Sequence, residues 1–465
     1  MGLRGSGLKA ALSILAGGLM LCWPAFLNGY PLLFSDSAAF LHQTLGPWMI
    51  WDKPWIYGPL IFPLHWHRLL WPVVIAQGLM LSHLLWLALR AFGGGASPGR
   101  HLLLLLVVAA LTAVPFSVSI VMPDVFTPAV LLGALLLGFG RAALSRGEAA
   151  WVALLVALGT AAHLSHLPML GALAVASLLA GWRAAGRVAV PLALAAALLL
   201  VTNAVGHGRV SLSPHGATFL MARLVANGPA IRTIEARCPE AGWALCAFKG
   251  RLEPYGPEAC RLQTCPRDLL PSDILLWEPS SPINTDENGR PRAFGGRSLA
   301  PEAGAIIRET VRREPLAVAW DAVKDTLAQL VSNRVGDTLE RRHPGVGMAE
   351  LVGKFGPAEA ARFEAGAQWR GVLPGMVAPL LWVQGPLLVL SALALAVLGW
   401  RGRRDRAVLG LALGIGVGLL ANAFATGALS GPHDRYGARL AWLLVAGAIL
   451  LAMRAGAKAS RHEAG

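Results

Sequence analysis

A few polar side chains interrupt an apolar chain, and their types point to proton transfer and phosphate recognition. Asp36 stands in Phe34-Ser35-Asp36-Ser37, just after the first apolar run, with Phe40 beyond it. A carboxylate between aromatic side chains at a membrane interface is expected to be partly desolvated, which raises its pKa and makes it a better proton acceptor. Asp124, in Met122-Pro123-Asp124-Val125, is the only charged group in a tight turn between two apolar runs. Ionisable groups at membrane depth are costly and tend to be functional. A helix N-cap is the competing role for Asp124, and for Ser35 or Asp36. Arg435 and Arg439 lie in Ser430-Gly431-Pro432-His433-Asp434-Arg435-Tyr436-Gly437-Ala438-Arg439. Guanidinium groups bind phosphate oxygens bidentately, so this pair, with His433 beside it, fits a lipid phosphate or pyrophosphate. Pairing with Asp434 or snorkelling to headgroups explains the arginines equally well. His163 and His166, spaced i, i+3, could hold a metal or a phosphate, or be hydrogen-bonded structural groups. Arg68, in His65-Trp66-His67-Arg68, is a further phosphate contact in a tryptophan-rich stretch that an interfacial aromatic belt also explains.

These residues need helices to position them. The 465 residues are 55% hydrophobic and 14% charged, with mean hydropathy +0.56, too apolar for a soluble chain of this length. The fold class is therefore an all-α polytopic membrane protein. Runs of roughly 20 apolar residues fall at 9–27, 71–89, 101–121, 125–140, 149–164, 167–181, 188–206, 374–399, 407–427 and 440–453, which predicts about 10 transmembrane helices. The net charge of +14 is located in the short connections rather than in a nucleic-acid face, so no nucleic-acid partner is expected. Basic residues gather at every second connection: Arg4 and Lys9, Arg90 and Arg100, Arg141 and Arg146, Arg183 and Arg187, Arg401 to Arg406, and Arg454 to Arg461. By the positive-inside rule those connections and both termini are cytoplasmic. The first run has the basic start of a signal peptide, but no small-x-small cleavage pattern follows it, and it reads as a span.

Three domains follow: 1–206 as a seven-helix module, 207–373 as a soluble exoplasmic (periplasmic) domain between helices 7 and 8, and 374–465 as three further helices with a cytoplasmic tail. Within the middle domain, residues 301–340 read as an amphipathic helix with Leu316, Val323, Leu327, Leu330 and Val331 on one face. Four of the five cysteines, Cys238, Cys246, Cys260 and Cys265, lie in this domain. That suits disulfides in an oxidising space, whereas the spacings do not match a zinc site. Of three connectivities, the local one, Cys238 with Cys246 and Cys260 with Cys265, is expected. No P-loop, H-E-x-x-H or G-x-S-x-G occurs, and Gly93-Gly94-Gly95 lacks the Lys-Ser/Thr of a Walker motif, which disfavours ATP-driven transport.

Over residues 1–206 the pattern resembles the GT-C superfamily of integral-membrane glycosyltransferases, which includes protein O-mannosyltransferases and lipid A aminoarabinose transferases. Asp36 in Phe34-Ser35-Asp36-Ser37 and Asp124 in Met122-Pro123-Asp124 fall where those enzymes carry acidic residues in their first two outward connections. The resemblance implies a catalytic or acceptor-positioning role for Asp36, a second acidic role for Asp124, and a polyprenyl-phosphate-linked sugar as donor. Many members have paired acidic residues in the first loop, whereas here Asp36 and Asp52 stand well apart. The inserted domain resembles none we know, so the acceptor, whether envelope glycan, lipid or protein, is not carried over. No cofactor is demanded, and a divalent cation is left open. The function expected is sugar transfer on the outer face of a bacterial inner membrane. The rivals are a transporter or flippase of lipid-linked saccharide, and a non-catalytic envelope assembly protein; the absence of an inverted repeat weighs against the transporter.

Overall fold

The computed structural model describes residues 2–46, 49–259, 269–336, 338–342 and 344–463. Among these residues the chain is helical, with two isolated β-bridges and no strand. It divides into two compact units: Met1–Leu198 with Asn333–Asn422 and Asp434–Gly465, and Leu199–Ser332 with Ala423–His433.

Five helices, Trp71–Phe92, Trp182–His207, Leu373–Arg401, Arg406–Ala428 and Asp434–Ala459, are long and apolar enough to cross a membrane. Shorter apolar helices span Gly7–Leu21, Pro98–Leu111, Pro123–Gly138 and His166–Ala180. Every apolar run of the sequence falls on helix, yet three are broken, 440–453 among them, at Trp442 between Asp434–Ala441 and Leu443–Glu463. The run 9–27 divides at Cys22 into Gly2–Leu21 and Trp23–Asn28, and 101–121 divides into Pro98–Leu111 and Val114–Ser119. Pro24 and Pro115 sit in the first turn of the second piece of each, where a missing amide hydrogen is tolerated but helix continuation from upstream is not.

The first unit is organised around Phe126–Gly138, all of whose residues are buried. A helix apolar on every side belongs inside a bundle. Glycine lets its neighbour come close. Gly410, Gly414 and Gly418, spaced i, i+4, i+8 on Arg406–Ala423, face Phe139, Leu135 and Leu131, and a Cβ at any of them would lie 2.1–2.2 Å from that side chain. Such small-residue ridges are how apolar helices pack without a hydrophobic driving force between them.

Between helices the backbone is irregular, and buried amide side chains satisfy it, as a water-poor environment requires. Leu32 and Ile120 form a parallel bridge, with Leu32 N–H donating to Ser119 O (2.9 Å) and Val121 N–H to Leu32 O (3.0 Å). Gln77 donates to the carbonyls of Val118 (2.7 Å) and Ile120 (2.9 Å). Gln368 both accepts from Leu33 N–H and donates to Leu33 O. Residues 333–372, which the sequence reading places in the inserted domain, thus belong to the first unit. Buried Glu359, accepting from Tyr30 Oη (2.8 Å), holds the same segment.

The second unit has its own core, including Met221, Leu224, Ile234, Leu245, Leu275 and Ile306. Cys238 and Cys246 form a disulfide beside it; the expected Cys260–Cys265 pair lies outside the described residues. The amphipathic stretch is two helices, Ala300–Arg313 and Pro315–Val331, broken where Pro315 removes a donor. The face carrying Leu316, Val323, Leu327, Leu330 and Val331 is exposed rather than turned to the core.

Candidate functional site

The bridge at Leu32 and Ile120 fixes where the two aspartates meet. Asp36 follows it in the first turn of Ser35–Leu45, and Asp124 sits in the Pro123–Val125 turn that opens onto Phe126–Gly138. Both carboxylates therefore stand at helix N-termini, where the backbone dipole favours negative charge. The helix Asp434–Ala441 brings Arg435 and Arg439 to them on one face, since i, i+4 side chains point the same way.

The result is a chain of charges of alternating sign. Asp52 meets Lys53 at 2.9 Å, and Lys53 meets Asp36 at 3.2 Å. Asp36 meets Arg435 at 3.4 Å, and Arg435 approaches Asp124 at 3.9 Å. Asp124 then meets Arg439 at 3.1 Å. The deep end is tightly built: Arg439 is 0% and Asp124 3% exposed, and Arg439 also donates to Ser165 Oγ and Asn422 Oδ1, both at 3.2 Å. The middle is looser, because both carboxylate contacts of Arg435 exceed the 2.7–2.9 Å of a strong charge-assisted bond. Phe34 and Tyr436 lie 4.4 and 5.0 Å from the Arg435 guanidinium and hold it as cation–π partners. Asp124 Oδ2 and Arg439 Nε, though buried, have no hydrogen-bond partner among the described residues. A small cleft, partly open to solvent, runs past Asp124 and Arg435 and is lined also by Phe116, Ser117, Arg334 and Thr338.

The expected rise in the Asp36 pKa is not found. Burial pushes it up, but Lys53 and Arg435 together outweigh burial and hold the carboxyl below its ordinary value. Lys53 is in turn held above its ordinary range: burial opposes its charge, and Asp36 and Asp52 overcome that. Asp36 is thus a fixed carboxylate, a weaker base in this resting arrangement than a desolvated carboxyl would be.

Of the other expected residues, His166 is buried with both ring nitrogens engaged, Nδ1 by Gly159 O and Nε2 by Thr127 Oγ1, each at 2.7 Å. His163 bonds Ser165 Oγ at 2.8 Å and so supports the serine that Arg439 uses. Arg68 is exposed, and among the described residues no ion pair joins it to the chain of charges. His433 belongs to the second unit, where it pairs with Asp273 at 3.3 Å. Among the described residues no group of three or more His, Cys, Asp or Glu could hold a metal ion. The two site aspartates already face Lys53, Arg435 and Arg439, which does not suit a divalent cation. Sequence reasoning missed Lys53, although it breaks the same charge rule as Arg435 and Arg439, being a cation in a connection expected to be outward.

No known protein family, curated protein or solved structure matches the chain.

Proposed function

We propose that the protein is a membrane glycosyltransferase of GT-C type, moving a sugar from a polyprenyl-phosphate-linked donor to an envelope acceptor. The observation that carries this reading is the meeting of Asp36, Asp124, Arg435 and Arg439 beside a cleft, with the loosest link of the charge chain at Arg435. In this reading the donor phosphate takes Arg435, with Arg334 near it in the cleft, and loosens the guanidinium from Asp36. Losing one of its two cations makes Asp36 more basic at the moment the acceptor hydroxyl must lose its proton. The acceptor oxygen attacks the anomeric carbon with inversion and its proton passes to Asp36. The bond from anomeric carbon to phosphate oxygen breaks, and polyprenyl phosphate departs with the electron pair, needing no proton. An acceptor that is itself a phosphate needs no base, and Asp36 then only orients it.

The accompanying topology is ten spans in a bacterial inner membrane, both termini cytoplasmic and the second unit exoplasmic. Basic connections gathered at one end of the first unit support it: Arg90 pairs with Glu148 (2.6 Å), and Arg454 pairs with Asp405 (2.6 Å) while donating to Ala91 O. The disulfide supports an oxidising space for the second unit. Mass spectrometry of envelope glycans and lipid-linked sugars in a deletion strain tests the function. Loss of one sugar with accumulation of its lipid-linked donor is expected, and reappearance with wild-type protein but not with Asp36→Asn. Unchanged sugars and donors would reject it.

A further inference from the structure

The helix Pro315–Val331 is built with its polarity reversed. Asp321, Asp325 and Gln329, spaced i, i+4, i+8, are buried. Asp325 accepts two bonds from Arg223 (2.9 and 2.6 Å) and one from Asn227 (2.9 Å). Gln329 donates to His433 O and accepts from His433 N–H, both at 2.9 Å. On the opposite side Leu316, Trp320, Val323, Leu327, Leu330 and Val331 are exposed, Trp320 by 62% and Leu327 by 57%. A helix in water turns such a stripe to its core; a stripe this long left outward marks an interaction surface.

The neighbouring turn says what covers it. The helix crosses Phe424–Ala428 at Gly427, where a Cβ would meet Asp325 O at 2.5 Å and Gln329 Cβ at 2.8 Å. That turn is the end of Arg406–Ala428, a helix apolar enough to cross a membrane, whose Leu420 and Phe424 are exposed by 54% and 45%. The helix that carries the outward stripe therefore packs, within the second unit, on the apolar turn Phe424–Ala428, whose own Phe424 is likewise exposed. Lys324, at the edge of the stripe and paired with Asp321 at 2.7 Å, can extend its charge toward headgroups. We propose that Pro315–Val331 lies in the bilayer interface with its apolar stripe against lipid acyl chains, anchoring the second unit to the membrane surface. This rests on the chain being a membrane protein and not on the transferase reading.

The test is chemical access in nanodiscs holding one copy. Cysteines replacing Leu316, Trp320 or Leu327 are expected to react with a water-soluble maleimide about tenfold or more slowly than one at exposed Ser298, the partition of an apolar side chain out of water. Detergent exchange to short-chain amphiphiles should narrow the gap. In the unsubstituted protein, a phospholipid with a photoactivatable acyl chain should label the peptide containing 315–331, which keeps the test valid if a variant misfolds. Reaction as fast as at Ser298 together with no lipid labelling overturns the proposal. Shielding that needs two copies per disc overturns it in favour of self-association, and shielding only in native membranes overturns it in favour of a protein partner.

Discussion

Replacing Asp124 by alanine should strand the most buried cation of the first unit. Arg439 is wholly buried, and its three acceptors are Asp124, Ser165 and Asn422. Two of these are neutral, and the next charge along the chain is Arg435, of the same sign. The substitution therefore leaves a buried guanidinium with two neutral hydrogen bonds and no counter-charge, the case in which breaking an ion pair costs about 3–5 kcal/mol. The reverse change, Arg439→Met, should be milder. Asp124 then still faces Arg435 at 3.9 Å, the methionine fills most of the space, and about 1–3 kcal/mol is expected for a polar group left under-satisfied. The double variant Asp124→Leu, Arg439→Met should recover most of the loss, because an apolar replacement of a buried pair is often neutral. The readout is an SDS-titration or thermal unfolding series in lipid, with correct insertion verified for each variant. If Asp124→Ala is no less stable than Arg439→Met, the counter-charge argument fails and the pair is not holding the bundle.

Asp36 should behave differently. Its folded pKa lies below the unfolded one, so the stability it adds is present above the unfolded value of about 4 and is lost as pH falls through the folded value; stability measured from pH 8 to 5 should be flat for this group. If the proposed transfer is the protein's reaction, Asp36→Asn should leave expression intact and cut that transfer by roughly 100-fold or more, the range of a lost general base; near-normal transfer removes Asp36 from that role. Reducing the Cys238–Cys246 disulfide, which closes a short loop, should cost the second unit about 2–3 kcal/mol, read from hydrogen exchange of its helices with and without reductant. Gly414→Leu should place side-chain atoms within Leu135 and cost about 1–3 kcal/mol or more, while Gly416→Leu, with nothing within 4 Å of its Cβ, should be silent in the same unfolding assay.

The helices and the site were legible in the sequence to different depths. Apolar runs located the five helices long and apolar enough to cross a membrane, because burial and lipid both select the same residues. The breaks at Cys22 and Thr112 were hidden, since Pro24 and Pro115 lie inside stretches whose hydropathy never falls. Asp36, Asp124, Arg435 and Arg439 stood out as charges against an apolar ground, and the structure joins them in one chain. What it did with Asp36 was not legible, because the pKa depends on Lys53, delivered by the loop after Ser35–Leu45, and on Arg435, which arrives from the far end of the chain. The outward face of Pro315–Val331 was visible as a stripe, but periodicity does not say which way a stripe points.

The order in which the alternating charges are synthesised has a consequence for biogenesis. Asp36, Lys53 and Asp124 leave the ribosome early, whereas Arg435 and Arg439 follow them by hundreds of residues, 399 separating Asp36 from Arg435 and 315 separating Asp124 from Arg439. Lys53 can neutralise Asp36 at once, but Asp124 must wait for the helix Asp434–Ala441 to dock. A nascent chain, or one cut short before residue 434, carries an acidic group in its central turn without the two guanidinium partners that compensate it, the most destabilising state of a buried pair. Docking of the helix Asp434–Ala441 is thus the step that supplies Asp124 with its counter-charges, and until it occurs the central turn of the bundle is electrostatically incomplete.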